Sequence, residues 1–104
     1  MSVAGNVLSA LADPTRRSLL DQLAERGATT ASALAAELPI TRQAVVQHLA
    51  VLSDAGLVRG DRQGRERRFS MRTEGITETA RWLEALAATW ERRLDRIKQI
   101  AEAE

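Results

Sequence analysis

The sequence predicts a mainly α-helical chain with one small β-hairpin, on three observations. Helix-capping residues punctuate short apolar-periodic segments up to about residue 56. An arginine-rich stretch of alternating character follows, and the last thirty or so residues carry one unbroken apolar stripe at helical spacing.

The elements follow in order. Val3, Val7, Leu8 and Leu11 sit at helical spacing and predict a short first helix. Asp13-Pro14 reads as an N-cap with proline at the first helical position, opening a second helix. Leu19, Leu20, Leu23 and Ala24 line one face of it, and Gly27 ends it. Thr29 or Thr30 can cap a third helix, which buries Leu34, Ala35 and Leu38 and is broken at Pro39-Ile40. Thr41 caps a fourth, running to about Ala55 with Gly56 just beyond. Two short helices joined by a tight turn near 39–41 form a helix-turn-helix pattern. Leu57 and Val58 begin a strand and Gln63-Gly64 supplies turn chemistry. Arg67, Phe69 and Met71 then alternate with Arg68 and Ser70. A basic hairpin directly after a helix-turn-helix is a wing. The expected architecture is thus a winged helix-turn-helix with a long C-terminal dimerisation helix, a single domain over residues 1–104.

That last helix spans about Glu74 to Glu102, roughly 40 Å at ~1.5 Å per residue. Ile76, Leu83, Trp90 and Ile97 recur every seven residues; Ala80, Ala87, Leu94 and Ala101 do the same, and Trp82, Leu86 and Ile100 widen the stripe. Such a helix outreaches a small helical core, so part of its stripe is expected to face a second copy. The interface residues expected are Val3, Val7 and Leu8 of the first helix with Leu83, Leu86, Trp90, Leu94 and Ile97 of the last.

Composition excludes several classes of function. With 104 residues, 44% hydrophobic and 28% charged, the chain has a globular composition. The absence of cysteine removes disulfides, thiolate metal sites and cysteine nucleophiles. No apolar run approaches the ~20 residues needed to cross a bilayer, and the first residues lack signal-peptide character, so the expected location is the cytoplasm. With no recognisable Ser/His/Asp set, no glycine-rich phosphate loop and a single histidine, no enzymatic activity and no cofactor is expected. Net charge is only +1, but Arg59, Arg62, Arg65, Arg67, Arg68 and Arg72 face only Asp61 and Glu66 within residues 59–72. Positive charge concentrated in this way is a footprint for phosphate.

The fourth helix faces its core with Val45, Leu49 and Leu52, leaving Gln43, Val46, Gln47 and Ala50 on the opposite side and Arg42 at the N-terminal edge. Arginine suits guanine, glutamine suits adenine, and an exposed valine fits a thymine methyl in the major groove of double-stranded DNA. Thr41 caps the helix, and its hydroxyl can also reach a phosphate drawn to the helix N-terminus. His48, the only histidine, either packs at the helix edge or touches backbone phosphate. Arg62, Arg65, Arg67 and Arg68 at the wing suit backbone or minor-groove contact, and also blunt exposed strand edges. Arg59 and Arg72 are placed equally well to pair with Asp61 or Glu74. Arg16 and Arg17 can reach a phosphate or pair with Asp13 and Asp21. Trp82 and Trp90 read as core and interface packing.

Ala10-Leu11-Ala12-Asp13-Pro14-Thr15-Arg16, His48-Leu49, Val51-Leu52, Ala55-Gly56-Leu57-Val58 and Trp82-Leu83-Glu84 together resemble the ArsR family of bacterial winged-helix repressors, over roughly residues 6 to 100. The resemblance implies a homodimer formed by the first and last helices, binding an imperfect palindrome at or near its own promoter. Many members sense metals through cysteines on the helix-turn-helix or through histidine and acidic ligands on the last helix. This chain has neither set, so it resembles the cysteine-free members and no metal response by those routes is expected; the sequence names no other effector. Val46 stands where serine is common in the family, which implies a different DNA sequence preference. Two rival readings share the fold: a protein-interaction module, and an architectural protein that binds DNA without reading its sequence.

Overall fold

The computed structural model of the protein describes residues 2–103, and its helices begin where the capping chemistry dictates. Helix α1 (Val3–Ala10) opens with the Ser2 hydroxyl accepting from the Gly5 amide at 3.0 Å. Helix α2 (Pro14–Arg26) opens with the Asp13 carboxylate accepting from the Thr15 and Arg16 amides at 2.7 and 3.2 Å. Thr30 caps α3 (Ala31–Ala36), and Thr41 caps α4 (Arg42–Asp54). At the far end of α4 the Gly56 and Leu57 amides return to the Ser53 and Leu52 carbonyls, the pair of bonds that closes a helix and turns the chain into a strand.

The hairpin pairs β2 (Val58–Gln63) with β3 (Glu66–Met71) antiparallel, Gln63 facing Glu66 across the loop Gly64-Arg65. Gly64 has φ +62°, which a two-residue type II′ loop requires at its first central position. A third strand, β1 (Thr29–Thr30), pairs with β3 through Thr29↔Phe69 and Thr30↔Arg68 and completes a sheet of order β1-β3-β2. From the sequence, Thr29 and Thr30 are expected only to cap a helix. Two residues carry no alternation, and their partners lie far along the chain.

Leu19, Leu20 and Leu23 of α2, Leu34 of α3, Val45, Leu49 and Leu52 of α4, and Leu57, Val58 and Phe69 of the sheet form one buried cluster. Truncating a fully buried leucine such as Leu49 to alanine removes transfer energy and leaves a cavity, a cost of about 2–5 kcal/mol. Val7 and Ala10 bring α1 into the same cluster.

Helix α5 (Glu74–Glu102) is anchored only at its start, where Gly75 and Thr79 are its buried residues and Val7 lies against Gly75. The remainder projects from the body. The molecule measures 71 × 24 × 24 Å and has a radius of gyration of 19.0 Å, against ~13 Å for a compact chain of this length.

This anchoring corrects one expectation. Val7, assigned from the sequence to the dimer interface, is 1% exposed and is covered within the protomer, so it has no area left to give a partner. The four-residue spacing that places Val3 and Val7 on one side cannot tell which of them α5 covers. Val3 and Leu8 stay exposed, as do Leu83, Leu86, Trp90, Leu94 and Ile97, the last five at 45% to 57%.

Candidate functional site

The exposed side of α4 and the wing face each other across one groove. Thr41, Arg42, Gln43, Val46 and Gln47 are all exposed, while Val45 and Leu49 behind them are closed into the core. Val46 is 39% exposed, an apolar side chain held outward on an otherwise polar face. The Thr41 oxygen accepts from the Ala44 amide at 3.1 Å, and its hydroxyl hydrogen stays available to donate.

His48 is half-buried at the helix edge. Its Nδ1 lies 3.5 Å from Arg16 Nη1. Arg16 also donates to the Ala10 carbonyl at 2.6 Å and lies 3.9 Å from Asp13, and Arg17 donates to the Leu11 carbonyl at 2.6 Å. Both arginines therefore close the C-terminal end of α1, where unpaired carbonyls and the helix dipole attract cations. Asp13 feels the same cluster. Partial desolvation pushes its carboxyl up, but the Arg16 and Thr15 amides and the Arg16 guanidinium outweigh that and hold it below the usual carboxylate range.

The hairpin register sorts the wing charges. Partners across an antiparallel ladder share a face. Val58 with Met71, Gly60 with Phe69, and Arg62 with Arg67 therefore lie on one face; Arg59 with Ser70, and Asp61 with Arg68, lie on the other. On that second face Arg59 pairs with Asp61 at 3.1 Å and Arg68 with Glu66 at 3.4 Å, while Arg72 meets Glu74 at 3.7 Å beyond the strand end. Among the described residues, Arg42, Arg62, Arg65 and Arg67 make no ion pair.

A groove of about 680 Å³ separates α4 from the wing, with Val46 and Ala50 on one wall and Arg65, Arg67 and Phe69 on the other. The structure thus gathers Arg42 with Arg62, Arg65 and Arg67, and sets Arg68 apart on the opposite face. Arg42 is turned toward the wing, its Nε donating to the Ser32 hydroxyl at 3.0 Å. Ser32 and Gly60 both shape this surface and neither is singled out by the sequence reading. An isolated glycine within an alternating strand is a signal of close approach that marks Gly60. Ser32 offers none, because only the packing of α3 on α4 brings it to Arg42. Among the described residues there is no group of three or more histidine, cysteine or acidic residues placed to hold a metal, and no helix is long and apolar enough to cross a membrane.

The profile of the helix-turn-helix domain matches residues 11–61. The uncharacterized HTH-type transcriptional regulator YuzN of Bacillus subtilis (strain 168) is 40% identical over 85 residues, covering 75% of this chain and 92% of its own. The transcriptional repressor SdpR of the same organism is 32% identical over 78 residues, covering 75% and 86%. Among solved structures, an ArsR-like transcriptional regulator from Rhodococcus sp. RHA1 superposes with a TM-score of 0.86 at 43% identity, over 95% of this chain and 92% of that one.

Proposed function

Since the chain belongs to the ArsR-like helix-turn-helix transcriptional regulators, we propose that it acts as a homodimeric repressor on a palindromic operator, with the recognition helix α4 reading the major groove. The observation that carries this reading is the groove shared by the exposed N-terminal half of α4 and a wing face whose arginines make no ion pair. Gln43, Val46 and Gln47 are the residues assigned to base edges: glutamine matches the donor and acceptor of adenine, and valine the methyl of thymine. Thr41 and the wing arginines supply backbone contacts, which fix register and account for much of the affinity. His48 supports α4 from beside Arg16 rather than reading sequence.

The exposed stripe of α5, with Val3 and Leu8 of α1, is assigned to the partner copy. Two-fold symmetry then presents two α4 helices to two half-sites, hence the palindrome. The regulator works in the cytoplasm beside the chromosome, and its release does not use the metal sites of cysteine- or histidine-bearing relatives. Control of its own operon is the simplest arrangement.

Fluorescence anisotropy tests this reading. The protein is titrated onto DNA from upstream of its own gene and onto a shuffled control, at several salt concentrations. Tight, salt-steep binding that prefers the native sequence is expected. Equal binding to both sequences overturns base reading in favour of an architectural role, and absence of binding at low salt overturns the DNA-binding role of this surface.

A further inference from the structure

The geometry points to a dedicated phosphate notch at the junction of α4 and the wing, formed by Arg42, Arg62, Arg65 and Arg67 and held in shape by Gly60. Its ligand is one phosphodiester of the DNA backbone, and the assignment rests on the DNA-binding reading above.

The notch is a space of about 400 Å³ lined by those four arginines, Gly60 and Glu66. Glu66 is the single carboxylate in its wall, and its Oε2 is engaged by Arg68 at 3.4 Å. Four guanidinium groups around one small space repel each other, and an anion between them turns that repulsion into attraction. The guanidinium fork suits the two non-bridging oxygens of a phosphodiester. The notch shares Arg42, Arg65 and Arg67 with the groove walled by Val46 and Ala50, so an anion held there lies beside whatever α4 contacts. A free anion has no such neighbour, which favours the backbone of bound DNA as the source.

Two side chains are pre-positioned. Arg42 is steered by the bond from its Nε to Ser32, which leaves the four Nη hydrogens of its fork free. Arg67 lies back across the strand, its Cζ 5.6 Å from the centre of the Phe69 ring. That path exists only because residue 60 has no side chain. A Cβ at Gly60 would stand 2.6 Å from Arg67 Nε, 3.1 Å from Nη2 and 3.0 Å from Phe69 Cε1. Gly60 is not at positive φ, so alanine suits its backbone and acts by displacing Arg67. Gly60 is therefore a positioning residue, and Arg42 is a backbone contact rather than a base reader.

The test measures DNA affinity against salt for the full-length wild type, Arg67→Ala, Gly60→Ala and the double variant, on native upstream and shuffled DNA. Loss of one phosphate contact should lower the slope of log K against log salt by about 0.9 for each protomer bound. Arg67→Ala should show a fall of up to that size and weaken both DNAs by the same factor. Gly60→Ala should match it although it removes no charge, and the double variant should lose nothing more. Arg67 is exposed, so its truncation should leave thermal unfolding unchanged; if Gly60→Ala fails to fold, Arg42→Ala replaces it and must give the same fall. Wild-type slopes in these variants, with wild-type binding intact, overturn the notch alone. A wild type that binds neither DNA overturns the reading beneath it. Inorganic phosphate at matched ionic strength should leave DNA binding unchanged; displacement of DNA by phosphate would make the notch a free-anion site and overturn the backbone assignment.

Discussion

Gln47 and Arg42 show how far individual residues can be read. Both stand on the exposed side of a helix whose core face is spelled by Val45, Leu49 and Leu52, so their exposure follows from period alone. Their roles do not. Gln47 is exposed, makes no side-chain hydrogen bond among the described residues, and keeps free the amide that matches adenine. Gln47→Ala should therefore cost ~1–3 kcal/mol on the native operator and little on shuffled DNA, measured by anisotropy at one salt concentration. An equal loss on both would remove Gln47 from base reading. Arg42 differs because Ser32, ten residues earlier, takes its Nε and turns it to the wing. Arg68 differs because the strand register puts it beside Glu66, away from Arg67.

At the scale of elements, caps and turns decide the boundaries. Asp13, Thr30, Thr41 and Gly64 each start or reverse an element through a local hydrogen bond or a local φ, and local chemistry is legible in sequence. The cap of α2 also makes stability depend on pH. The Asp13 carboxyl is held low in the folded state, so the unfolded chain binds its proton first as pH falls. Its contribution is fully present above the unfolded carboxylate value of about 3.9, and is lost as pH drops below it through the folded value. Asp13→Asn keeps a capping oxygen but no charge. Urea denaturation between pH 6 and pH 3 should show a smaller acid loss of stability in this variant than in the wild type. Identical pH profiles would separate Asp13 from that loss.

For the whole molecule, the decisive feature is α5. Only its first turns are buried, and its apolar stripe from Leu83 to Ile100 lies 45% to 59% exposed on a helix that outreaches the body. A stripe of that length open to water favours association. Leu94→Glu places a charge at its middle and should halve the mass seen by light scattering at micromolar concentration, with α2 to β3 still folded by circular dichroism. The same variant should lose cooperative binding to a two-half-site operator, since one protomer then meets one half-site. A dimer of unchanged mass would move the interface off this helix.

Caps, apolar period and turn glycines act over a few residues, and so the helices, the hairpin, the basic wing and the family are legible in the chain. So is the exposed face of α4, which the 3.6-residue period fixes once the core face is known. Long-range packing puts Val7 in the core, adds Thr29-Thr30 as a strand beside Phe69, and carries Arg67 across Gly60 to stand with Arg42 while Arg68 does not. Each of these depends on which element covers which, and contacts between residues distant in sequence leave no periodic trace in the chain that makes them.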